Sequence, residues 1–142
     1  MADVAERLIA AMNRHDAEAV AACFAVDYRS EQPLHPNRDF VGSEQVLANW
    51  TSVFEGVPDF VAERVASVAA ADTVWIELRW RGTHRDGSPF LMGGVTVLGL
   101  QDDRVAWARL YMEPVEVGGT DIEAAVRDLY RPPEDADGRA AP

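Results

Sequence analysis

Apolar residues in the first part of the chain recur at the three- and four-residue spacing of amphipathic helices, as Val4 and Leu8 do near the N-terminus. The predicted helices cover residues 3–14, 17–25 and 43–56. Between the last two, Pro33 and Pro36 disfavour helical backbone. Residues 28–41 are therefore expected to form an irregular loop with some extended character.

From residue 60 onward the apolar pattern changes to a period of two, which is the period of a strand. The predicted strands cover residues 60–70, 74–84, 89–100 and 104–113. Asp86-Gly87 is a typical hairpin turn between the second and third of these strands. A short helix that ends at Tyr130 follows the last strand.

Helices therefore come first and hairpin-linked strands follow, an order that predicts an α+β fold with helices on one face of an antiparallel sheet. The chain has 142 residues, enough for a single domain. We expect a main domain over residues 1–115, a helical extension over 116–131 and a disordered tail over 132–142, which is rich in Pro, Ala and acidic residues.

The formal net charge is -11, from 24 acidic residues against 13 basic ones, and every basic residue is Arg. This balance argues against nucleic acid or an anionic membrane as a partner, because phosphates bind basic surfaces. The lack of Lys excludes a Schiff-base lysine and a P-loop lysine. Nearly half of the net charge comes from residues 113–142, so the rest of the chain is closer to neutral.

Cysteine and histidine usage predicts neither a disulfide nor a metal site. Cys23 is the only cysteine of the chain, and no pair of its three histidines has the spacing of metal ligands. No apolar run approaches the length of a membrane span, and the N-terminus has no signal-like apolar stretch. We therefore expect a cytoplasmic protein without a metal or an organic cofactor.

Three motifs carry a resemblance to a known family: the passage from Phe54 to Phe60, the Gly-Thr-His hairpin motif at 82–84, and the Asp-Arg-Val turn at 103–105. With the order of the elements, they resemble the SnoaL-like group of the nuclear transport factor 2-like superfamily, which includes relatives of ketosteroid isomerase and polyketide cyclases. The resemblance covers roughly residues 3–115. It implies a cone-shaped domain in which three N-terminal helices and a curved antiparallel sheet enclose an apolar pocket.

The resemblance does not extend to the catalytic residues of ketosteroid isomerase. The position of the isomerase's general base falls on Gln32, that of its helix-one tyrosine on Leu8, and that of its central-strand acid on or near Thr96. The acid of the SnoaL cyclases is also unmatched, because residues 89–100 contain no Asp or Glu. Neither mechanism is therefore expected in this chain.

Strand alternation assigns the side chains to the two faces of the sheet, with the apolar face expected to line the pocket. The expected ligand-binding residues are Tyr28, Trp50, Leu78, Trp80, Met92, Thr96, Leu110 and Met112. The opposite face is rich in Arg, Tyr and Trp, which are enriched in protein interfaces. We expect it to form a homodimer through Glu77, Arg79, Trp107, Arg109 and Tyr111.

An alternative assignment turns Glu77 and Arg79 inward, since residues two apart on a strand share a face. With Glu113 as a second acid, this arrangement would resemble limonene epoxide hydrolase. It would place charged side chains in the core and apolar ones in solvent.

Candidate catalytic residues are His35, Gln32 and His84. A histidine titrates near neutrality, so His35 or His84 would be the acid/base, and Gln32 and Thr96 would donate hydrogen bonds to a developing oxyanion. The leading hypothesis is a protein that binds a small apolar molecule, such as a polyketide-like one, and converts it by isomerase, cyclase or hydrolase chemistry. The alternative is a non-catalytic ligand carrier or dimerisation module.

Overall fold

A computed structural model describes residues 3–130, in which three helices pack against one face of a single sheet and a fourth helix stands apart. The helices are α1 (Val4–Asn13), α2 (Ala17–Ala22), α3 (Ser43–Gly56) and α4 (Ile122–Tyr130). The strands are β1 (Phe24–Glu31), β2 (Phe40–Val41), β3 (Val61–Ala70), β4 (Thr73–Thr83), β5 (Pro89–Gln101) and β6 (Arg104–Pro114). The predicted helices and the four predicted strands are confirmed to within a few residues.

The six strands form one sheet in the order β2-β1-β6-β5-β4-β3. Strands β3 to β6 form an antiparallel meander, whereas β1 runs parallel to β6, with Ser30 opposite Ala108. The α+β class with a curved, mainly antiparallel sheet is confirmed, and the parallel pairing of β1 with β6 is an exception within it.

Strand β1 corrects the prediction for the segment before α3, which we expected to be helical to residue 25 and irregular over 28–41. The second helix ends at Ala22, and β1 begins at Phe24. Only Phe24, Tyr28 and Ser30 of this strand are buried. Their burial depends on pairing with β6, which lies far along the chain, so no local pattern marked the strand. A short 3-10 helix, Pro36–Arg38, follows in the loop.

Local hydrogen bonds start the first two helices and tie one of them to the sheet. The Asp3 and Asp16 carboxylates cap α1 and α2, accepting from the backbone N–H of Glu6 at 2.7 Å and of Ala19 at 3.0 Å. At the end of α1, the Asn13 amide donates to the Ala62 carbonyl at 3.0 Å and accepts from its N–H at 2.7 Å. This reciprocal pair holds α1 against β3.

The alternation of β4 decides which face of the sheet is covered by the helices. Leu78 and Trp80 are buried beneath them, while Glu77 and Arg79 are exposed on the outer face. On β5, Gly94 has φ +152°, and a Cβ there would clash with the backbone of Tyr111 on β6. Only glycine allows this close approach of the two strands.

The last helix stands apart from the core, since none of the residues of α4 is buried. Its apolar side chains Ile122, Leu129 and Tyr130 are each at least three-quarters exposed. The expected tail, 132–142, lies outside the described residues, and the division of the chain at residue 115 stays a prediction. No helix within residues 3–130 is long and apolar enough to span a membrane.

Candidate active site

A cavity of about 100 Å³ lies between the helices and the covered face of the sheet. Its walls come from α1, α3 and the strands β1, β4, β5 and β6, with one side chain from β2. The lining residues are Leu8, Met12, Phe24, Tyr28, Ser30, Gln32, Phe40, Val46, Asn49, Trp50, Leu78, Trp80, Thr96, Leu98, Ala108 and Leu110. Every lining side chain is uncharged, so the cavity suits a neutral ligand.

Five polar side chains interrupt the apolar wall: Tyr28, Ser30, Gln32, Asn49 and Thr96. Ser30 and Thr96 are the two buried polar residues of the described chain, at 3% and 6% exposure. The Gln32 side chain is also held from outside, since its Oε1 accepts a 3.4 Å hydrogen bond from Arg38. These groups can orient a ligand through hydrogen bonds.

Tyr28 is the only titratable residue among the described residues that line the cavity. Burial raises the pKa of its hydroxyl to about 12, and the hydrogen bond with the Ser30 side chain opposes this rise. The hydroxyl is therefore protonated at neutral pH and can donate a hydrogen bond. None of the described lining residues can act as a general base at that pH.

Seven of the sequence-predicted site residues line this cavity: Tyr28, Gln32, Trp50, Leu78, Trp80, Thr96 and Leu110. Met92 and Met112 are outside the lining; Met112 belongs to the buried core, and Met92 packs against that core. Asn49 was missed, although it follows Val46 by three residues and therefore shares a face of α3 with it. The three-residue spacing from Val46 is the sequence signal that could have identified Asn49.

The two candidate catalytic histidines lie outside the cavity lining. His84 is exposed at the β4–β5 turn, where its ring meets Phe90 edge to face at 5.5 Å. The His35 Nε2 lies 2.6 Å from Glu113 Oε1, and both side chains are more than a third exposed. The prediction that either histidine reaches a pocket-bound substrate therefore lacks geometric support. His35 lies in a loop and His84 at a turn, and strand alternation does not determine where such side chains point.

The outer face of the sheet carries all five residues expected at an interface, since Glu77, Arg79, Trp107, Arg109 and Tyr111 alternate with the covered residues. The Arg109 guanidinium lies 4.7 Å from the centre of the Trp107 ring, a cation–π distance.

The epoxide-hydrolase-like alternative needed Glu77 and Arg79 inside the cavity. Both are exposed on the outer face, and Glu113 is bound to His35. The alternative is therefore wrong on geometry, because apolar rather than charged side chains of β4 were buried. Within residues 3–130, no group of three or more His, Cys, Asp or Glu side chains is placed to hold a metal ion.

Solved structures similar to this chain share its fold. IdmH from Streptomyces antibioticus, whose proposed activity is polyketide cyclisation, has a TM-score of 0.68 at 22% identity, over 78% of this chain and 89% of that one. AclR from Streptomyces galilaeus, a proposed hydroxylase, has a TM-score of 0.68 at 14% identity, over 89% and 87%. A ketosteroid isomerase-like protein from Catenulispora acidiphila, solved with trimethylamine, has a TM-score of 0.66 at 18% identity, over 75% and 82%.

No curated protein matches the chain significantly. The profile of one family does match, and it covers residues 5–108, from α1 to the middle of β6. These residues include every side chain that lines the cavity except Leu110. The chain therefore belongs to the SnoaL-like domain family, within the nuclear transport factor 2-like fold.

Proposed function

We propose that this protein binds a small, uncharged and largely apolar molecule in the cavity between its helices and sheet. The observation that supports this most directly is the composition of the lining, which is apolar apart from five neutral polar side chains. A charged ligand would lose its hydration there without gaining an opposite charge. A neutral ligand with one or two polar atoms loses far less hydration free energy on entering the cavity.

The volume of the cavity limits the size of the ligand. About 100 Å³ is less than the roughly 150 Å³ of an engineered cavity that holds benzene, and far below the usual 300–1,000 Å³ of drug-sized sites. The Catenulispora acidiphila neighbour holds trimethylamine, which is also a small molecule. We therefore propose a ligand no larger than one six-membered ring with a small polar group, and a side chain of the wall must shift to admit it.

The lining favours binding over proton abstraction. Of the described lining residues only Tyr28 titrates, and it keeps its proton at neutral pH. Such a site can hold and polarise a carbonyl group but supplies no base. A carrier or sensor of a small ligand is thus the function that the geometry supports best.

One observation favours an enzyme as the second candidate. The His35 ring and the Glu113 carboxylate form a hydrogen-bonded pair at 2.6 Å, and the backbone N–H of His35 donates to the backbone carbonyl of Gln32, a cavity residue, at 2.8 Å. A hydrogen bond to a carboxylate can fix the orientation of a histidine ring. A ligand that extends past Gln32 would meet this pair outside the cavity lining, and His35→Gln would then abolish its turnover while leaving its dissociation constant unchanged.

Calorimetric titration tests the binding proposal with two matched rings, benzene as the neutral probe and benzoate as the charged one. We expect benzene to bind and benzoate to give no heat of binding. Leu110→Trp fills the cavity and should abolish benzene binding. Leu47→Trp, at a partly exposed position of α3 outside the lining, serves as the control. Equal binding by the two variants would place the ligand elsewhere and overturn the proposal.

We also propose that the outer face of the sheet pairs two copies of the chain. Val68 and Trp75 are neighbours across β3 and β4 on this face, and they are 64% and 46% exposed. Glu77 and Arg79 beside them carry opposite charges, which suits a self-complementary contact around a two-fold axis.

Sedimentation velocity at micromolar concentration tests this dimer. The Val68→Glu variant is expected to sediment as a monomer, because it places two carboxylates in the contact. Val26→Glu makes the same change at a 79%-exposed position on β1 and should leave a dimer. A monomeric unmodified chain would refute the proposal.

A further inference from the structure

Trp80 carries the only buried side-chain nitrogen or oxygen atom of the described residues that lacks a hydrogen-bond partner. Less than 1 Å² of its indole Nε1 is accessible, and the whole residue is 9% exposed. The same residue lines the cavity. Buried donors without a partner are rare and costly, so this one calls for an explanation.

Two aromatic rings pack against the indole. The Trp50 ring meets that of Trp80 nearly perpendicularly at 5.3 Å, and the Phe60 ring lies 6.0 Å away. Trp50 also contacts Phe60 at 5.4 Å. The face of an aromatic ring is a much weaker acceptor than an oxygen atom, so contact with these rings does not replace a hydrogen bond to oxygen.

Trp50 is the most exposed of these three rings. It lies on α3 and is only half-buried, whereas Phe60 is 1% exposed. Trp50 also lines the cavity, so a shift of its ring would enlarge a space that is small for a cyclic ligand. Because the two rings are in contact, the same shift would open space beside the Trp80 indole.

We propose that the Trp80 indole N–H recognises an acceptor oxygen of the ligand, and that the ligand displaces the Trp50 ring to reach it. This inference rests on the proposed binding function and narrows the ligand to an uncharged cyclic compound with a carbonyl oxygen. The apolar walls bind its ring, and Trp80 selects it over the corresponding hydrocarbon. A site built to hydrogen-bond a ligand rejects an analogue that lacks the polar atom.

Cyclohexanone and methylenecyclohexane test the proposal, because they differ only in an oxygen atom against a CH2 group. We expect the unmodified protein to bind cyclohexanone more tightly than the hydrocarbon. In Trp80→Phe, which keeps an aromatic ring but has no N–H, the preference should fall by about five- to tenfold. Trp75→Phe, on the outer face, is the matched control and should keep it.

A second measurement needs no variant in the binding experiment itself. The indole N–H resonances of the four tryptophans are assigned by nuclear magnetic resonance from single Trp→Phe spectra. Cyclohexanone should move the Trp80 resonance downfield, and methylenecyclohexane should not.

The Trp50→Phe variant should bind both probes more tightly, since a smaller ring is displaced, and the ratio of their affinities should stay unchanged.

The outcomes separate this inference from the function on which it rests. If neither probe binds, the proposed binding function fails for cyclic ligands and the role of Trp80 fails with it. If both bind, but Trp80→Phe keeps the preference or the Trp80 resonance is unmoved, binding stands and the role of Trp80 is overturned.

Discussion

Leu78 connects the stability of the fold to the cavity, so its truncation tests both together. The side chain is 3% exposed, and it lines the cavity from β4. Leu78→Ala removes buried apolar atoms and enlarges an existing void, whose walls relax only partly. Truncations of this kind cost about 2–5 kcal/mol, from lost transfer free energy and from the cavity itself. We expect a value in the middle of that range.

Urea denaturation measures this loss as a lower midpoint at an unchanged slope. A domain stable by about 5–15 kcal/mol remains folded after such a loss. Val26→Ala, at a 79%-exposed position on β1, is the control and should change the free energy of unfolding by less than about 0.5 kcal/mol. A loss below about 1 kcal/mol in Leu78→Ala would contradict the packing described for β4.

The same variant gives a second readout, since its cavity grows from about 100 Å³ toward the roughly 150 Å³ that holds benzene. Benzene should therefore bind Leu78→Ala more tightly than the unmodified chain, and saturating benzene should raise its urea midpoint. If benzene binds both proteins equally, the void beside Leu78 is not the binding site.

Three further predictions concern single features of the molecule. Burial raises the pKa of Tyr28 from 10.0 to about 12, so the folded state holds this proton more tightly than the unfolded chain. The resulting stabilisation, about 2–3 kcal/mol, is complete below pH 10 and is lost as the pH rises to about 12. Urea midpoints across this range should fall further in the unmodified chain than in Tyr28→Phe, and parallel curves would contradict the burial. Asn13→Ala removes both hydrogen bonds to Ala62 and should cost about 1–3 kcal/mol in the free energy of unfolding, whereas a change within about 0.5 kcal/mol would mean that α1 docks without them. Removal of residues 116–142 should leave the melting temperature of the main domain unchanged, because α4 buries no side chain; a fall of several degrees would refute the division at residue 115.

The predictable part of the fold is the part made by local patterns. The four meander strands are joined in sequence, so the alternation of β4 and the turn at Asp86-Gly87 were enough to define their neighbours. The same alternation predicted that Leu78 and Trp80 face inward. Predicting these strands and the direction of their side chains required no knowledge of contacts with segments outside the meander.

The unpredictable part depends on contacts between distant segments. Strand β1 pairs in parallel with β6, and its alternation is interrupted, because Val26 is exposed between Phe24 and Tyr28. The position of His35 was hidden for the same reason: its partner Glu113 lies 78 residues away. The acid/base role predicted for His35 therefore rested on a side chain that the structure places outside the cavity lining.

The segments predicted from local patterns and those that depend on distant contacts contribute different side chains to the cavity. The meander and α3 supply the aromatic wall, in which Trp50 and Trp80 meet. Strand β1 supplies Tyr28 and Ser30, and the chain leaves it at Gln32, so most of the polar side chains come from the segment that local patterns missed. Strand β1 joins the meander only through its pairing with β6, and the short β2 lies on its other side. A family that keeps its meander and varies this strand can keep one fold while changing the polar groups that meet a ligand.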